Sequence, residues 1–291
     1  PQIPQDLMQQ VQIKSTQIVL QNYRLLYYSS FLITLLEEAG ISVLLLKGWQ
    51  TAQLYPVPEA RKSGDIDLLI PDHAQFEAAV CVLENHGFQK ESTQLTHHHT
   101  VFTAPEHFHI ELHAMLSEPF EQNELNTDIA ALLPEYNSHR IHKTILGYPI
   151  CAATDPYDAY YLLLHMLQHF TSLGFGAILL CDWTVFLEHH AHEIDFMAFQ
   201  TMLEDLGLVP FCEVMTELCI RYLGLPREIL EKNHCTFLAA TIDPALLQRV
   251  LDDIHTAGEF GKENHTRVLI AHQNNFSSTI AQGHRQMKIY F

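Results

Sequence analysis

The sequence predicts an α+β fold, with a mixed sheet and its helices in the first half and a mainly helical C-terminal region after it. One observation is a short apolar run at 43–46, followed by Lys47-Gly48 and then by a second apolar run at 65–70. The other is a change from strand-like to helical patterns near residue 153. These patterns predict an α/β domain with an N-terminal helix over residues 1–153 and a helical domain over residues 154–291.

The first half contains start and stop signals for most of its elements. Gly40 is a C-cap for a long N-terminal helix, Pro56 discourages continuation of a two-turn helix, and Asp72 and Gly87 begin and end a third helix. The predicted elements are, in order, a helix at 7–39, a strand at 43–46, a helix at 49–54, a strand at 65–70, a helix at 74–85, paired strands at 94–104 and 108–113, and a hairpin at 140–152.

Helical patterns dominate the second half. Asp155-Pro156 is a typical helix start, with the acid as cap and proline in the first turn. The predicted helices cover 156–171, 177–189, 195–206, 210–223 and 244–257.

Two carboxylates open the strand at 65–70. Residues two apart in a strand project to the same face, so Asp65 and Asp67 present their oxygens together, while Ile66 and Leu68 point into a core. Two adjacent carboxylates repel each other unless a cation lies between them. Ligation by oxygen alone suits Mg²⁺, which takes further ligands from water and substrate phosphates. The alternative is a pair of solvated acids on an edge strand.

A third carboxylate lies on the strand predicted at 108–113. His-Ile-Glu-Leu-His at 109–113 alternates polar and apolar residues, so Glu111 and His113 share a strand face. Three acids on adjacent strands have the outline of a two-metal phosphoryl-transfer site. His113 is a candidate to hold or orient Glu111. A surface carboxylate and a buried histidine bonded to a carbonyl are the alternatives.

These residues resemble a pattern of the nucleotidyltransferase superfamily related to DNA polymerase β. The chain is more closely similar to bacterial uncharacterised nucleotidyltransferases, whose pattern runs Lys-Gly, Tyr, Arg, Asp-x-Asp-Leu-Leu and Glu-Leu-His. The matching residues are Lys47, Gly48, Tyr55, Arg61, Asp65, Asp67, Glu111 and His113. The resemblance is dense from 43 to 113 and weaker after Asp155, where the family pattern also places a His and an Asp.

The resemblance implies a polymerase β-like mixed sheet and a role for each matching residue. It makes Asp65, Asp67 and Glu111 the catalytic and metal-binding residues. Nucleotide-binding candidates are Lys47, Gly48, Arg61, Ser63 and Gly64, and possible supporting residues are Tyr55, His113, His165, His169 and Asp182. For the last three, helix packing is the alternative.

The implied reaction transfers a nucleoside monophosphate, AMP from ATP, to an acceptor hydroxyl with Mg²⁺ as cofactor. The acceptor class stays open between a small molecule, a peptide and a protein. One departure affects the phosphate cradle: in the wider superfamily the turn glycine is followed by Gly or Ser, whereas Trp49 follows Gly48. Ser63 and Gly64 are the candidates for the missing hydroxyl and the close backbone approach.

The charge balance restricts the partners. Sixteen basic and 34 acidic residues give a formal net charge of −18, which argues against a long nucleic-acid partner. A toxin-like enzyme that modifies tRNA or protein is one alternative, and the charge weighs against tRNA only. No Lys or Arg lies between Thr144 and Ile220, so phosphate binding is expected in the N-terminal half.

The twenty histidines raise a different hypothesis, a non-catalytic metal-binding protein. Six of them lie between 97 and 113: His97, His98, His99, His107, His109 and His113. Consecutive strand residues point to alternate faces, however, so at most two of the first three cooperate easily. No His-Glu-x-x-His or Cys-rich pattern completes a zinc or nickel site.

Cysteine usage and hydropathy indicate a cytoplasmic protein without a membrane partner. The six cysteines show no regular spacing, which is typical of reduced thiols. No segment approaches the roughly 20 apolar residues of a membrane span, and the first residues lack the features of a signal peptide.

Overall fold

The computed structural model describes residues 4–91, 99–104, 108–119, 123–171, 174–238 and 242–257. Within this part of the chain, one sheet has seven strands in the order β3-β4-β5-β2-β1-β7-β6. The strands are β1 (Leu44–Leu45), β2 (Asp65–Leu69), β3 (Gln89–Lys90), β4 (His99–Thr103), β5 (His109–His113), β6 (Arg140–Ile145) and β7 (Tyr148–Ala153).

A short 3₁₀ helix covers Pro58–Ala60, and the α-helices of the described residues number eleven. They are α1 (Gln5–Glu38), α2 (Trp49–Ala52), α3 (His73–Asn85), α4 (Asn123–Ala131), α5 (Leu133–Ser138), α6 (Asp155–Thr171), α7 (Ile178–His190), α8 (Phe196–Asp205), α9 (Val209–Tyr222), α10 (Arg227–Lys232) and α11 (Pro244–Ala257). None of these helices combines the length and apolarity that a membrane span needs.

The chain divides into two compact units. One consists of Pro1–Met115 and Leu133–Thr154, and the other of Leu116–Leu132 and Asp155–Phe291. All seven strands lie in the first unit, and helices make up the regular structure of the second. The division into a catalytic domain at 1–153 and a helical domain at 154–291 stays a prediction.

The sheet mixes parallel and antiparallel pairs, as the α+β prediction requires. β2 lies between β1, with which it is antiparallel, and β5, with which it is parallel. In the β2–β5 register Asp67 is the direct partner of Glu111. β4 is antiparallel to β5, and β7 runs parallel to β1. The predicted fold class is confirmed.

The hydrophobic core of the first unit lies on one face of this sheet. Ile66 and Leu68 of β2 are buried in it together with Ile110 and Leu112 of β5. The core also contains apolar side chains of α1 and α3. Because these apolar side chains point into the core, the alternate side chains of β2 and β5 project from the opposite face of the sheet.

The predicted helix signals agree with the structure. Gly40 and Gly87 take positive φ angles two residues after the ends of α1 and α3, and the Asp72 side chain accepts a hydrogen bond from the Ala74 N–H at 3.0 Å. The hairpin predicted at 140–152 is β6–β7, with Leu146 and Gly147 at positive φ in its turn.

Several elements were shorter than predicted or were missed. The helix predicted at 49–54 ends at Ala52, and the strand predicted at 43–46 has two residues. β3, α4, α5 and α10 were missed because they are short and lack a clear apolar period. Residues 94–98 of the strand predicted at 94–104 lie outside the described residues.

Candidate active site

The turn after β1 positions the only lysine of the matching pattern. Lys47 lies two residues after the end of the strand, and Gly48 takes φ +73° before α2 begins at Trp49. L-residues with a side chain rarely adopt this conformation. A Cβ on Gly48 would meet no atom within 4 Å, so the turn needs glycine for its backbone conformation and not for space.

The Lys47 ammonium lies between the two aspartates of β2. Its Nζ is 3.2 Å from Asp67 Oδ2 and 3.6 Å from Asp65 Oδ1. Asp67 is only 1% exposed, whereas Asp65, at the start of the strand, is about one third exposed. The ammonium therefore balances a pair of carboxylates of which one is fully buried.

Glu111 and His113 complete the cluster from β5. His113 Nε2 is 3.3 Å from Asp67 Oδ1 and 3.4 Å from Glu111 Oε2, so one imidazole bridges the two acids. Glu111 is the strand partner of Asp67, and paired residues of parallel strands project to the same face. The structure thus brings Asp65, Asp67, Glu111, His113 and Lys47 together.

The charges of these groups control their protonation. Burial alone would lower the pKa of Lys47, but the carboxylates of Asp65, Asp67 and Glu111 outweigh it and raise that pKa. Burial also opposes the charged form of His113, yet its bonds to Asp67 and Glu111 raise its pKa to about 9. Burial would raise the pKa of Glu111, but the interaction with His113 lowers it. These pKa shifts all favour the charged forms of Lys47, His113 and Glu111.

The donor atoms of this cluster suit a divalent cation. One ligand atom from each of Asp67, Glu111 and His113 lies within 4.8 Å of the others. Asp67 Oδ2 is buried and accepts no hydrogen bond among the described residues, and the cation nearest to it is the Lys47 ammonium. A buried carboxylate oxygen in this state favours a positive neighbour, and carboxylates are ligands for hard divalent metals.

The nucleotide-binding candidates before β2 form a small cluster of their own. Arg61 is 7% exposed and donates from Nη1 to Ser63 Oγ at 2.7 Å. Gly64 is exposed, and a Cβ there would meet no atom within 4 Å. Tyr55 is half-buried and follows α2, where its N–H donates to the Ala52 carbonyl.

Asn22 of α1 was missed by the sequence analysis. It is fully buried, and its Nδ2 donates to the Glu59 carbonyl at 2.7 Å and to the Arg61 carbonyl. Trp49 in turn donates from Nε1 to the Asn22 carbonyl at 2.6 Å. The available signal was a polar residue on the apolar face of α1, one turn before Leu25 and Leu26.

These bonds explain the departure from the usual glycine turn. Trp49 is 2% exposed and packs near the Tyr23 ring, with the centroids 5.9 Å apart. It is an anchor that joins α2 to α1. The side chain after Gly48 is thus directed into the core in this protein, and the hydroxyl nearest to Arg61 comes from Ser63.

The histidine-rich segment is only partly described. His97, His98 and His107 lie outside the described residues. His99 is the strand partner of His113, with ring centroids 5.4 Å apart, and His109 contacts Glu91 at 3.0 Å. Within the described residues, the metal-type cluster in this segment is the one formed with Asp67 and Glu111.

The remaining supporting candidates lie in the second unit. His165 and His169 are one turn apart on α6, and their Nε2 atoms are 3.1 Å from each other. Asp182 is buried on α7. Their supporting role stays a prediction.

The comparisons with known proteins assign both the class of enzyme and the family. The chain belongs to the family described as uncharacterised nucleotidyltransferase, which matches residues 1–224. The predicted resemblance and the enzyme class are therefore confirmed. A nucleoside triphosphate and an acceptor are the substrates of such an enzyme. No curated protein matches the sequence.

Two solved structures match the chain. One is the lincosamide antibiotic adenylyltransferase LnuA bound to lincomycin, with 15% identity and a TM-score of 0.38, over 56% of this chain and 94% of that one. The other is an antigenic nucleotidyltransferase-like protein from Paracoccidioides brasiliensis, with 17% identity and a TM-score of 0.44, over 71% of this chain and 92% of that one.

Proposed function

We propose that this enzyme transfers AMP from ATP to an acceptor hydroxyl in a Mg²⁺-dependent reaction. The observation that carries the proposal is the in-register pairing of Asp67 with Glu111 beside Asp65, with a cation, the Lys47 ammonium, between the aspartates. An oxygen-rich cluster that already attracts a positive charge is suited to a metal-bound triphosphate.

Asp65, Asp67 and Glu111 are the residues that would hold Mg²⁺. The metal, when bound, supplies charge stabilisation for the phosphates and for the attacking oxygen. The nitrogen of His113 is a poorer donor for this hard cation. Its bonds to Asp67 and Glu111 instead fix the directions of the two carboxylates, so we assign it a positioning role.

Lys47 has two tasks in this proposal. Without substrate it neutralises the buried Asp67 charge, which would otherwise be costly. With metal and nucleotide bound, the carboxylates gain another cationic partner, and Lys47 can contact the phosphates. Arg61 is the second phosphate-binding cation, and its bond to Ser63 limits the directions its guanidinium can take.

Glu111 acts as the base for the acceptor hydroxyl. The acceptor oxygen forms a bond to the α-phosphorus, and the bond from that phosphorus to the bridging oxygen of the β-phosphate breaks. The hydroxyl proton passes to Glu111, and pyrophosphate leaves with its charge balanced by Lys47 and Arg61. Alignment and charge stabilisation are the main sources of rate in such a site.

The acceptor is proposed to be a small molecule, a peptide or a protein. The net charge of −18 disfavours tRNA, since a polyanion would be repelled. A toxin-like action on protein fits the same site. The non-catalytic histidine-rich alternative is not retained, because the family is enzymatic. A cytoplasmic location stays a prediction from composition.

A labelling experiment tests whether transfer occurs and which phosphate group of ATP is transferred. The protein is incubated with Mg²⁺ and a cell extract, in parallel with ATP labelled at the α-phosphate and at the γ-phosphate. We expect transfer of the α-label only, and none with the Asp67→Asn protein. Transfer of the γ-label would show phosphoryl transfer and contradict the proposal. Unlabelled GTP, CTP and UTP as competitors test the choice of ATP.

A further inference from the structure

A second cluster of metal-ligating side chains lies in the first unit, on elements other than those that carry the carboxylate site. It consists of Glu37, His142 and Cys151, whose ligand atoms all lie within 4.8 Å of one another. Glu37 is in the last turn of α1, His142 is on β6 and Cys151 is on β7. No part of the proposed nucleotidyl transfer uses these residues.

The fold itself brings the three side chains together. His142 and Cys151 are direct partners in the antiparallel β6–β7 hairpin, so their side chains project to the same side. α1 packs against β7, and Glu37 Oε1 lies 2.7 Å from His142 Nε2. The cluster therefore joins the end of α1 to the β6–β7 hairpin, since His142 lies 105 residues after Glu37.

We infer that Glu37, His142 and Cys151 form a binding site for a zinc-type divalent metal. Thiolate, imidazole and carboxylate are the three ligand classes that Zn²⁺ uses, and three protein ligands leave a fourth position for water. His142 is 60% exposed and Glu37 30% exposed, so solvent has access to the site from their side. Cys151 is fully buried and supplies the ligand on the inner side of the site.

The distances fit after small side-chain movements. Zn²⁺ lies about 2.0 to 2.3 Å from nitrogen, oxygen and sulfur ligands, so tetrahedral donors are about 3.5 Å apart. Glu37 Oε1 and His142 Nε2 are at present 2.7 Å apart, and all three ligand atoms lie within 4.8 Å of one another. Glu37 and His142 are long and partly exposed, and they supply the adjustment without movement of the Cys151 backbone.

The chemistry also differs from that of the Asp67 site. A thiolate selects borderline-soft metals over Mg²⁺, whereas the Asp65, Asp67 and Glu111 carboxylates suit a hard cation. Burial and the Glu37 carboxylate raise the pKa of the Cys151 thiol to about 11. The metal must therefore displace the thiol proton, which is released as binding occurs.

A bound metal would connect the end of α1 to the β6–β7 hairpin, so we expect it to stabilise the fold of the first unit. Any ligand that binds only the folded state stabilises it. This inference does not depend on the proposed nucleotidyl transfer, because no residue is shared with the carboxylate site.

Cobalt is the probe, because Co²⁺ bound to a thiolate gives a charge-transfer absorption that carboxylate and histidine sites lack. Chelator-treated full-length protein is titrated with CoCl₂ under reducing conditions. We expect this absorption to develop in the wild type and to be displaced by ZnCl₂. It should be absent from Cys151→Ala and unchanged in Cys81→Ala, whose thiol is exposed and outside the cluster.

His142→Ala and His139→Ala form the matched pair, since both histidines are exposed and lie three residues apart on the same side of the hairpin turn. We expect His142→Ala to weaken Co²⁺ binding about tenfold or more, equal to about 1.4 kcal/mol, and His139→Ala to leave it unchanged. The pair decides the question even if Cys151→Ala fails to fold.

Three results would overturn the inference: no thiolate absorption in the wild type, its persistence in Cys151→Ala, or equal affinities of wild type and His142→Ala. Each would show that the three side chains form a hydrogen-bonded cluster only.

Discussion

Asp67 on β2 and Glu111 on β5 are direct partners across a parallel strand pair, and His113 contacts both of their carboxylates. The strand order and register of the sheet therefore bring these side chains together. A change in any one of these groups alters the charge felt by the others.

Asp67→Asn is expected to abolish transfer while the protein stays folded, because it removes a metal ligand and keeps the shape of the side chain. The loss should be about a thousandfold or more in rate, equal to about 4 kcal/mol. Steady-state transfer assays and circular dichroism check both parts. Asp72→Asn is the control, since this exposed acid only caps α3. Substantial residual transfer by Asp67→Asn would show that the metal assignment is wrong.

Glu111→Gln is expected to leave triphosphate binding nearly unchanged and to reduce transfer about a hundredfold or more. Asp65 and Asp67 still hold the nucleotide-bound metal, whereas the acceptor loses its base, which is a loss in the transition state. Nucleotide titration and rate measurements on the same protein test this split. Glu91→Gln, an acid outside the cluster that bonds Thr103 and His109, should behave as wild type. If nucleotide affinity fell as much as the transfer rate, Glu111 would be a nucleotide-binding residue instead.

His113→Ala is expected to give a milder defect than Glu111→Gln, because His113 positions the two carboxylates and does not itself react. Both the maximal rate and the pH dependence of the rate should change. A purely structural defect would lower the rate without changing its pH dependence. His109→Ala is the matched control on the same strand face, since its partner is Glu91. A defect as large as that of Glu111→Gln would make His113 a catalytic residue.

Lys47→Ala and Arg61→Ala should each weaken binding of a non-hydrolysable ATP analogue about tenfold, or by about 1.4 kcal/mol. Each substitution removes a cation that we expect to contact the phosphates. Calorimetric titration at saturating Mg²⁺ measures the effect. Arg140→Ala and Lys143→Ala, both on β6, should matter little. Equal losses at all four positions would indicate a diffuse electrostatic effect.

Asn22→Ala is expected to reduce the free energy of unfolding by about 2 kcal/mol, because the carbonyls of Glu59 and Arg61 lose their donor in a buried environment. It should also raise the KM for ATP, since Arg61 loses the support of its backbone. Urea unfolding and kinetic measurements test both parts. Asn85→Ala, at the exposed end of α3, is the control. An unchanged stability would mean that Asn22 does not hold this segment.

The local features of the site were accessible from the sequence. The two-residue period of a strand placed Asp65 and Asp67 on one face and Ile66 and Leu68 in the core, as the structure has them. Strand alternation likewise put Glu111 and His113 on one face. Capping chemistry gave the ends of α1 and α3, because caps depend on neighbouring residues.

The relations between distant segments were not accessible. The role of Lys47 in binding the triphosphate stays a prediction, and the sequence did not show that its ammonium contacts Asp67 and Asp65. It gave no role to Asn22, whose partners lie 37 and 39 residues away. No local pattern relates Glu37 to His142 and Cys151, whose ligand atoms meet in the structure. The contacts of Asn22 and Glu37 depend on how α1 packs against the rest of the first unit.

The sequence alone determined the fold class and the side of each strand that carries the acids, because periodicity and capping act over a few residues. Its motif residues carry the resemblance to nucleotidyltransferases. The tertiary structure decided that β5 lies beside β2 in the register that pairs Asp67 with Glu111, and that Lys47 and His113 converge on Asp67. Strand order and register come from hydrogen bonds and core packing between remote segments, and no local pattern encodes them.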